Sequence, residues 1–374
     1  MKVSLITRHA AINYGSLLQT IATQRSIRSL GHECSVIDYI RTDEDLWNIE
    51  KTLLKSKPGW NSSPLRRALY LAMRQPPSVI AGNRFKSERE RYLAVTRRYS
   101  SYSELVNDPP SADVYMTGSD QVWGPVAGGV YDPAYTLGFA PEGARRVAYA
   151  SSFGKNVLDA DSARAMRRGL ASYDAISVRE DIAVEQLREW GIPSEQVFDP
   201  TLLLSADEWR GFAEEAGVSP SGNGAPYALI YQIHNDPLLS SYAKRAAEYL
   251  GLPLVRVSPN FHQIVRSGKL RYLPGAGRFV DLLANASCLI TDSFHGTAFA
   301  INFNVPFVEV LPNTGTTGRA VSLLRFTGLE GRVLANPEDI ALSGTPVDFG
   351  AANRVVADER ERSLDVMRRL IEGC

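Results

Sequence analysis

The sequence predicts an α/β protein made of two Rossmann-like domains facing a central cleft. Three observations carry this. Short apolar runs alternate with helical patterns, which is the signature of parallel sheets with crossover helices. Each run ends in polar or glycine residues, so those ends gather at one edge of a sheet. The alternation then restarts after "SPSGNGAP" at residues 219–226, a stretch with the composition of a linker.

The elements follow in order. "KVSLIT" opens the chain as a strand, and "NYGSLLQTIATQRSIRSLG" follows as a helix. Leu17, Ile21, Ile27 and Leu30 share its buried side and Gly31 supplies its stop. "ECSVIDY" is the second strand and completes a β-α-β unit of about forty residues. "DVYMTGS", "RRVAYASSFG", "AISVRE" and "QVFDPTLLL" read as further strand ends, with helical patterns such as "AVEQLREWG" between them. Beyond the linker come "YALIYQI", "PLVRVS", "CLIT" and "PFVEV" as strands, and "SSYAKRAAEYLG" and "FVDLLANA" as helices. The expected domains are residues 1–218, with a basic helical insertion at about 41–100, and residues 226–374. The last helix, "LDVMRRLIEG", is expected to pack back on the first domain.

Composition narrows the functional class. Among 374 residues, Lys plus Arg equals Asp plus Glu at 41 each, so nucleic acid is not an expected partner. The three cysteines, Cys34, Cys288 and Cys374, have no metal-ligand spacing and fit a reducing cytoplasm. "MKVSLITRHAAINYG" reads as a first strand rather than a signal peptide, and no run of about 18 apolar residues is present. No Walker loop or GxGxxG fingerprint occurs, and no metal or cofactor is expected.

Charge is uneven along the chain. Residues 51–100 hold twelve basic residues against Glu88 and Glu90, a net of +10. Within them "PLRRALYLAMRQPP" places Leu65, Leu69, Ala72 and Met73 on one helical face. Two readings stand: a basic amphipathic helix lying at the inner face of an anionic membrane, or a surface helix packing that stripe on the core.

The stretch "DSFHGTAFAINF" (292–303) places a histidine and a glycine where a strand turns into a helix. Such carboxyl-edge turns are where open α/β sheets bind ligands, and free N–H groups there attract anions. Asp292 or Ser293 caps the helix. Asn13, Tyr14 and Gly15 open the first helix in the same way, with Asn13 either a plain cap or a helper at a phosphate or sugar site. "GSDQVW" gives Gly118, Ser119, Asp120 and Gln121 at another strand end, and Ser152 lies in a similar loop.

Taken together, "NYGSLLQ", "TGSDQVW", "YASSFG", "AISVRE", "DPTLLL", "TDSFHGTAFAINFNVPF" and "GRAVSLLRFTGL", in this order, resemble the polysaccharide pyruvyl transferase family. The resemblance implies a glycosyltransferase-B-like fold. It implies transfer of the pyruvyl unit of phosphoenolpyruvate, as co-substrate, onto two hydroxyls of a sugar or lipid-linked oligosaccharide. A cyclic ketal forms and phosphate leaves. His295 is then the proton donor or a phosphate ligand, and Arg179 and Arg319 are the cations that grip the donor's anionic groups. Asp120 is either the base for a sugar hydroxyl or a cap. Ser293 and Phe294 stand where family members can carry Arg-Leu. On the same reading Gly296 clears space for a phosphate, and His295 is aimed into the cleft.

Overall fold

In the computed structural model every strand pairing is parallel, among the described residues 1–126, 129, 131–154, 160–219, 224–234, 236–312 and 317–373. The first sheet is built from β1 (Lys2–Ile6), β2 (Glu33–Tyr39), β3 (Val95–Tyr99), β4 (Val114–Thr117), β5 (Arg145–Ser151), β6 (Ala175–Val178) and β7 (Glu195–Gln196). Their order across the sheet is β3-β2-β1-β4-β5-β6-β7. The second sheet holds β8 (Ala228–Tyr231), β9 (Leu254–Ser258), β10 (Lys269–Tyr272), β11 (Cys288–Thr291) and β12 (Phe307–Glu309). Its order is β10-β9-β8-β11-β12.

Both orders reverse direction once, between β1 and β4 in one sheet and between β8 and β11 in the other. At such a reversal the crossover helices leave to opposite faces, and a crevice opens beyond the carboxyl ends of the two central strands. These central strands are apolar runs because helices cover both faces. All four residues of β4, β8 and β11 are buried.

The chain divides into two compact units, Met1–Pro200 with Leu364–Cys374, and Thr201–Ser363. From sequence the division is expected at 205–226, of which residues 220–223 lie outside the described residues. The helix Gly350–Glu372 contributes its end to the first unit. There Arg145 Nε donates to the carbonyl of Leu370 at 2.8 Å, and Arg369 pairs with Glu195 at 3.1 Å.

The basic segment is mostly helical, as expected, with helices Ile49–Lys55, Pro58–Asn61 and Pro64–Tyr92. It is not an insertion, however. It forms the crossover that carries the chain from β2 to β3, so the sheet's edge depends on it. Gly82 lets the long helix close on the loop before it, since a Cβ there would overlap Leu46 Cδ2. No helix among the described residues is long and apolar enough to cross a membrane.

Candidate functional site

The crevice of each unit collects most of the residues singled out in the sequence. In the first unit Asn13 caps the helix Tyr14–Ser29, its side-chain oxygen accepting the N–H groups of Gly15 at 2.8 Å and Ser16 at 3.4 Å. Tyr14 is buried, its ring 5.0 Å from that of Phe85, so it packs the core rather than facing a ligand. Gly118 is a close-packing glycine: a Cβ there would stand 2.8 Å from Leu5 Cδ1 and 3.3 Å from Thr7 Cβ, both from the β1 end.

Beyond β4 the chain strains. Asp120 has φ of +82°, a conformation that costs a non-glycine residue about 1–3 kcal/mol unless its surroundings hold it. They do. Ser16 Oγ donates to Asp120 Oδ2 at 2.5 Å, and the Gln121 N–H donates to its Oδ1 at 2.8 Å. Gln121 in turn fills the space beside Gly154, where a Cβ would come within 2.5 Å of its Oε1. Ser152 is buried as well; its Oγ accepts the Gly154 N–H at 3.0 Å, and its carbonyl accepts Trp123 N–H at 3.1 Å. Asp120 caps no helix.

Arg179 departs from expectation. Its side chain is 0% exposed, so it is not open to a donor. Its Nη1 donates to Asp199 Oδ2 at 2.9 Å and to Ser119 Oγ at 3.3 Å, while Nε lies 3.4 Å from Glu180 and Nη2 lies 3.8 Å from Asp120. Ser119 Oγ completes the group by donating to Asp199 Oδ2 at 2.7 Å. Burial opposes the charge, but Asp199, Glu180 and Asp120 outweigh it and strengthen the guanidinium's hold on its proton. One cation faces three carboxylates. Arg179 therefore organises carboxylates rather than gripping an anion.

The second unit's crevice gathers arginines. Asp292, after β11, accepts the N–H groups of Ile233 at 2.7 Å and His234 at 3.0 Å, which stitches the β8 and β11 ends together. Ser293, not Asp292, caps the helix Phe294–Phe303, its Oγ accepting the Gly296 N–H at 3.3 Å. His295 stands in the first turn and is 6% exposed, more enclosed than the sequence implies. Gly296 admits protein rather than phosphate: a Cβ there would lie 2.5 Å from Thr291 Oγ1 and 3.1 Å from the Tyr231 ring.

Two residues of this edge do not stand out in the sequence. Glu309, at the end of β12, is wholly buried, and burial pushes its carboxyl up to about 8. Thr297 Oγ1 donates to it, Asp292 raises it further, and the charge of the half-buried Arg319 pulls it down. Arg319 itself opens the helix Gly318–Thr327. The other overlooked residue is Arg256 on β9, buried with Nη1 donating to Gln232 Oε1 at 2.9 Å and Nη2 to Ser240 Oγ at 2.7 Å. Burial and the neighbouring Arg266 lower it to about 10. A carboxylic acid inside the apolar string "PFVEV", and an arginine inside "PLVRVS", were the available signals. This edge gathers Arg256, Arg266 and Arg319, and burial favours the protonated form of Glu309 beside them. No group of three or more His, Cys, Asp or Glu among the described residues could hold a metal ion.

The family pattern described as polysaccharide pyruvyl transferase matches residues 13–314, which spans both crevices. The chain belongs to the polysaccharide pyruvyl transferase family. No curated protein matches it. Among solved structures it is similar to the UDP-GlcNAc 2-epimerase of Methanocaldococcus jannaschii in complex with UDP-GlcNAc and UDP, at 13% identity and TM-score 0.52 over 100% of both chains. The UDP-GlcNAc 2-epimerase of Neisseria meningitidis aligns at 13% identity and TM-score 0.46, over 100% of this chain and 92% of that one. The spinosyn rhamnosyltransferase SpnG aligns at 13% identity and TM-score 0.46, over 99% of each chain. At such identity the likeness to the archaeal epimerase concerns the fold, the two-sheet α/β class of glycosyltransferase-B-like proteins. In this pyruvyl transferase family member the matched span includes the carboxyl-edge turns of both sheets.

Proposed function

We propose that the protein transfers the pyruvyl group of phosphoenolpyruvate to two hydroxyls of a sugar in a surface polysaccharide or its lipid-linked precursor. The observation that carries this reading is the group of arginines at the carboxyl edge of the second unit's sheet. The donor is an anion with a phosphate and a carboxylate, and it suits the second unit's edge. There Arg319 and the N–H groups at the start of the helix Phe294–Phe303 would hold it. A neutral Glu309 spares that edge a second negative charge that would repel the donor.

The enol methylene takes a proton and becomes a methyl group, leaving cationic character on the central carbon. A sugar hydroxyl adds there and gives up its proton. The second hydroxyl then displaces phosphate, closing the ketal, and its proton leaves with the phosphate or the base. In this scheme His295 delivers the first proton and Asp120 accepts one from a hydroxyl. Asp120 is oriented for this by Ser16 and held by its contact with Arg179.

The test is release of inorganic phosphate from phosphoenolpyruvate by the purified protein, with and without candidate sugar diols, followed by NMR of carbon-labelled product. Acceptor-dependent release with a new ketal methyl resonance is the expected result. Nucleotide release from a sugar nucleotide would overturn it in favour of glycosyl transfer. Ligand binding with neither release would make the protein a sugar- or phosphate-binding module.

A further inference from the structure

The helix Pro64–Tyr92 carries two apolar faces, and only one of them is covered. Tyr70, Ala81 and Phe85 are buried against the first unit. Leu65, Leu69, Met73 and Ile80 are 79%, 51%, 49% and 57% exposed. At about 100° per residue these four fall within roughly an 80° arc, well away from the buried face. The packing of this stripe on the core, one of the two readings open from sequence, is therefore not what forms. Trp60, in the preceding helix, is partly exposed but packs its ring 5.9 Å from that of Tyr70, on the side of the covered face.

Charge says what covers the second stripe. No acidic residue occurs between Lys51 and Ser87, while Lys51, Lys55, Lys57, Arg66 and Arg67 are all exposed. Arg66 and Arg67 bond to the carbonyl oxygens of Gly59 at 3.2 Å and Asn61 at 3.3 Å, neutral partners that leave their charge in place. A surface helix facing only water needs a single apolar stripe. A second one, flanked by uncompensated cations, matches the interface between acyl chains and negatively charged headgroups.

We propose that this helix docks the protein on an anionic lipid bilayer. Leu65, Leu69, Met73 and Ile80 enter the boundary of the acyl chains. The lysines and arginines lie along the headgroups, their alkyl stems covering apolar surface. The inference does not depend on the reaction catalysed.

Co-sedimentation of the full chain with vesicles tests it. Binding is expected to vesicles rich in phosphatidylglycerol, not to pure phosphatidylcholine, and should weaken several-fold when salt rises to about 0.5 M. The triple variant Leu65→Glu, Leu69→Glu, Ile80→Glu should lose binding by about 10-fold or more while melting at the wild-type temperature, because these side chains are outside the core. Charge removal by Lys55→Gln, Arg66→Gln, Arg67→Gln should reduce both binding and its salt dependence. Equal binding to neutral and anionic vesicles would overturn the proposal, as would a triple variant that binds like wild type. So would a wild type that binds no vesicle yet forms a concentration-dependent dimer that the triple variant abolishes.

Discussion

Thr297, one turn into its helix, donates its hydroxyl hydrogen to the buried carboxyl of Glu309 at the end of the neighbouring strand. The same carboxyl takes a proton near neutrality because water cannot reach it and because Asp292 adds a like charge.

This carboxyl makes stability depend on pH. Its ordinary value of 4.5 becomes about 8 in the folded protein, so between those values the native state binds more protons than the unfolded one. Its contribution is fully present below 4.5 and is lost as pH rises through about 8. Each tenfold change in proton affinity is worth about 1.4 kcal/mol, so the effect amounts to a few kcal/mol. Thermal melts of wild type and Glu309→Gln at pH 5 and pH 9 should diverge only at the higher pH, with the glutamine variant the more stable. Parallel melting at both values would contradict the assignment.

His295 separates proton delivery from binding. Glutamine keeps its bulk and a hydrogen-bonding group but cannot pass a proton, so His295→Gln should lower turnover by about 10²-fold with little change in melting temperature. His295→Ala should also melt lower, since the residue is 6% exposed and its removal leaves a cavity. Retained turnover in the glutamine variant would assign the histidine to phosphate alone.

For Arg179 the expected loss is one of folding first. Arg179→Gln leaves Asp120, Glu180 and Asp199 buried without their cation, which should cost about 3–5 kcal/mol in urea unfolding. An unfolding midpoint equal to wild type, with only donor affinity reduced, would restore the view of this arginine as an anion clamp.

Asp120 is expected to behave otherwise. Asparagine tolerates a positive φ, so Asp120→Asn should fold near-normally and lose about 10²-fold in turnover. Asp120→Val places a β-branched side chain in that conformation and should also destabilise by about 1–3 kcal/mol. Paired melting and phosphate-release measurements distinguish the two.

Gly296→Ala should reduce stability without any ligand present. The added methyl meets Thr291 Oγ1 at 2.5 Å, and overpacking of this kind costs about 1–3 kcal/mol. A variant that melts normally but binds phosphate poorly would return this glycine to the role the sequence suggested.

The alternation of strands and helices was legible because burial on both faces of a parallel sheet leaves apolar runs that survive in one dimension. The carboxyl-edge turns were legible for the same reason: polar residues interrupt those runs at fixed points. What stayed hidden is which charges meet. Ser16 and Asp120 are 104 positions apart, and Arg179 and Asp199 are 20 apart, so nothing local announces either pair. Glu309 read as part of a strand, since a single acid does not disturb an apolar pattern. Gly296 reads as a close-approach position, but a sequence does not say whether a side chain or a ligand does the approaching.

The sheet edges have one more consequence. A strand at an edge offers unpaired N–H and C=O groups to any passing chain. Here β7 has two residues and β12 three, too short to template much pairing. The longer edges, β3 and β10, carry Arg97 and Arg98 in "VTRRY" and Lys269 and Arg271 in "KLRY". On β10 a second copy laid alongside would bring like charges together, whereas Arg97 and Arg98 of β3 already pair with Asp108 and Asp38.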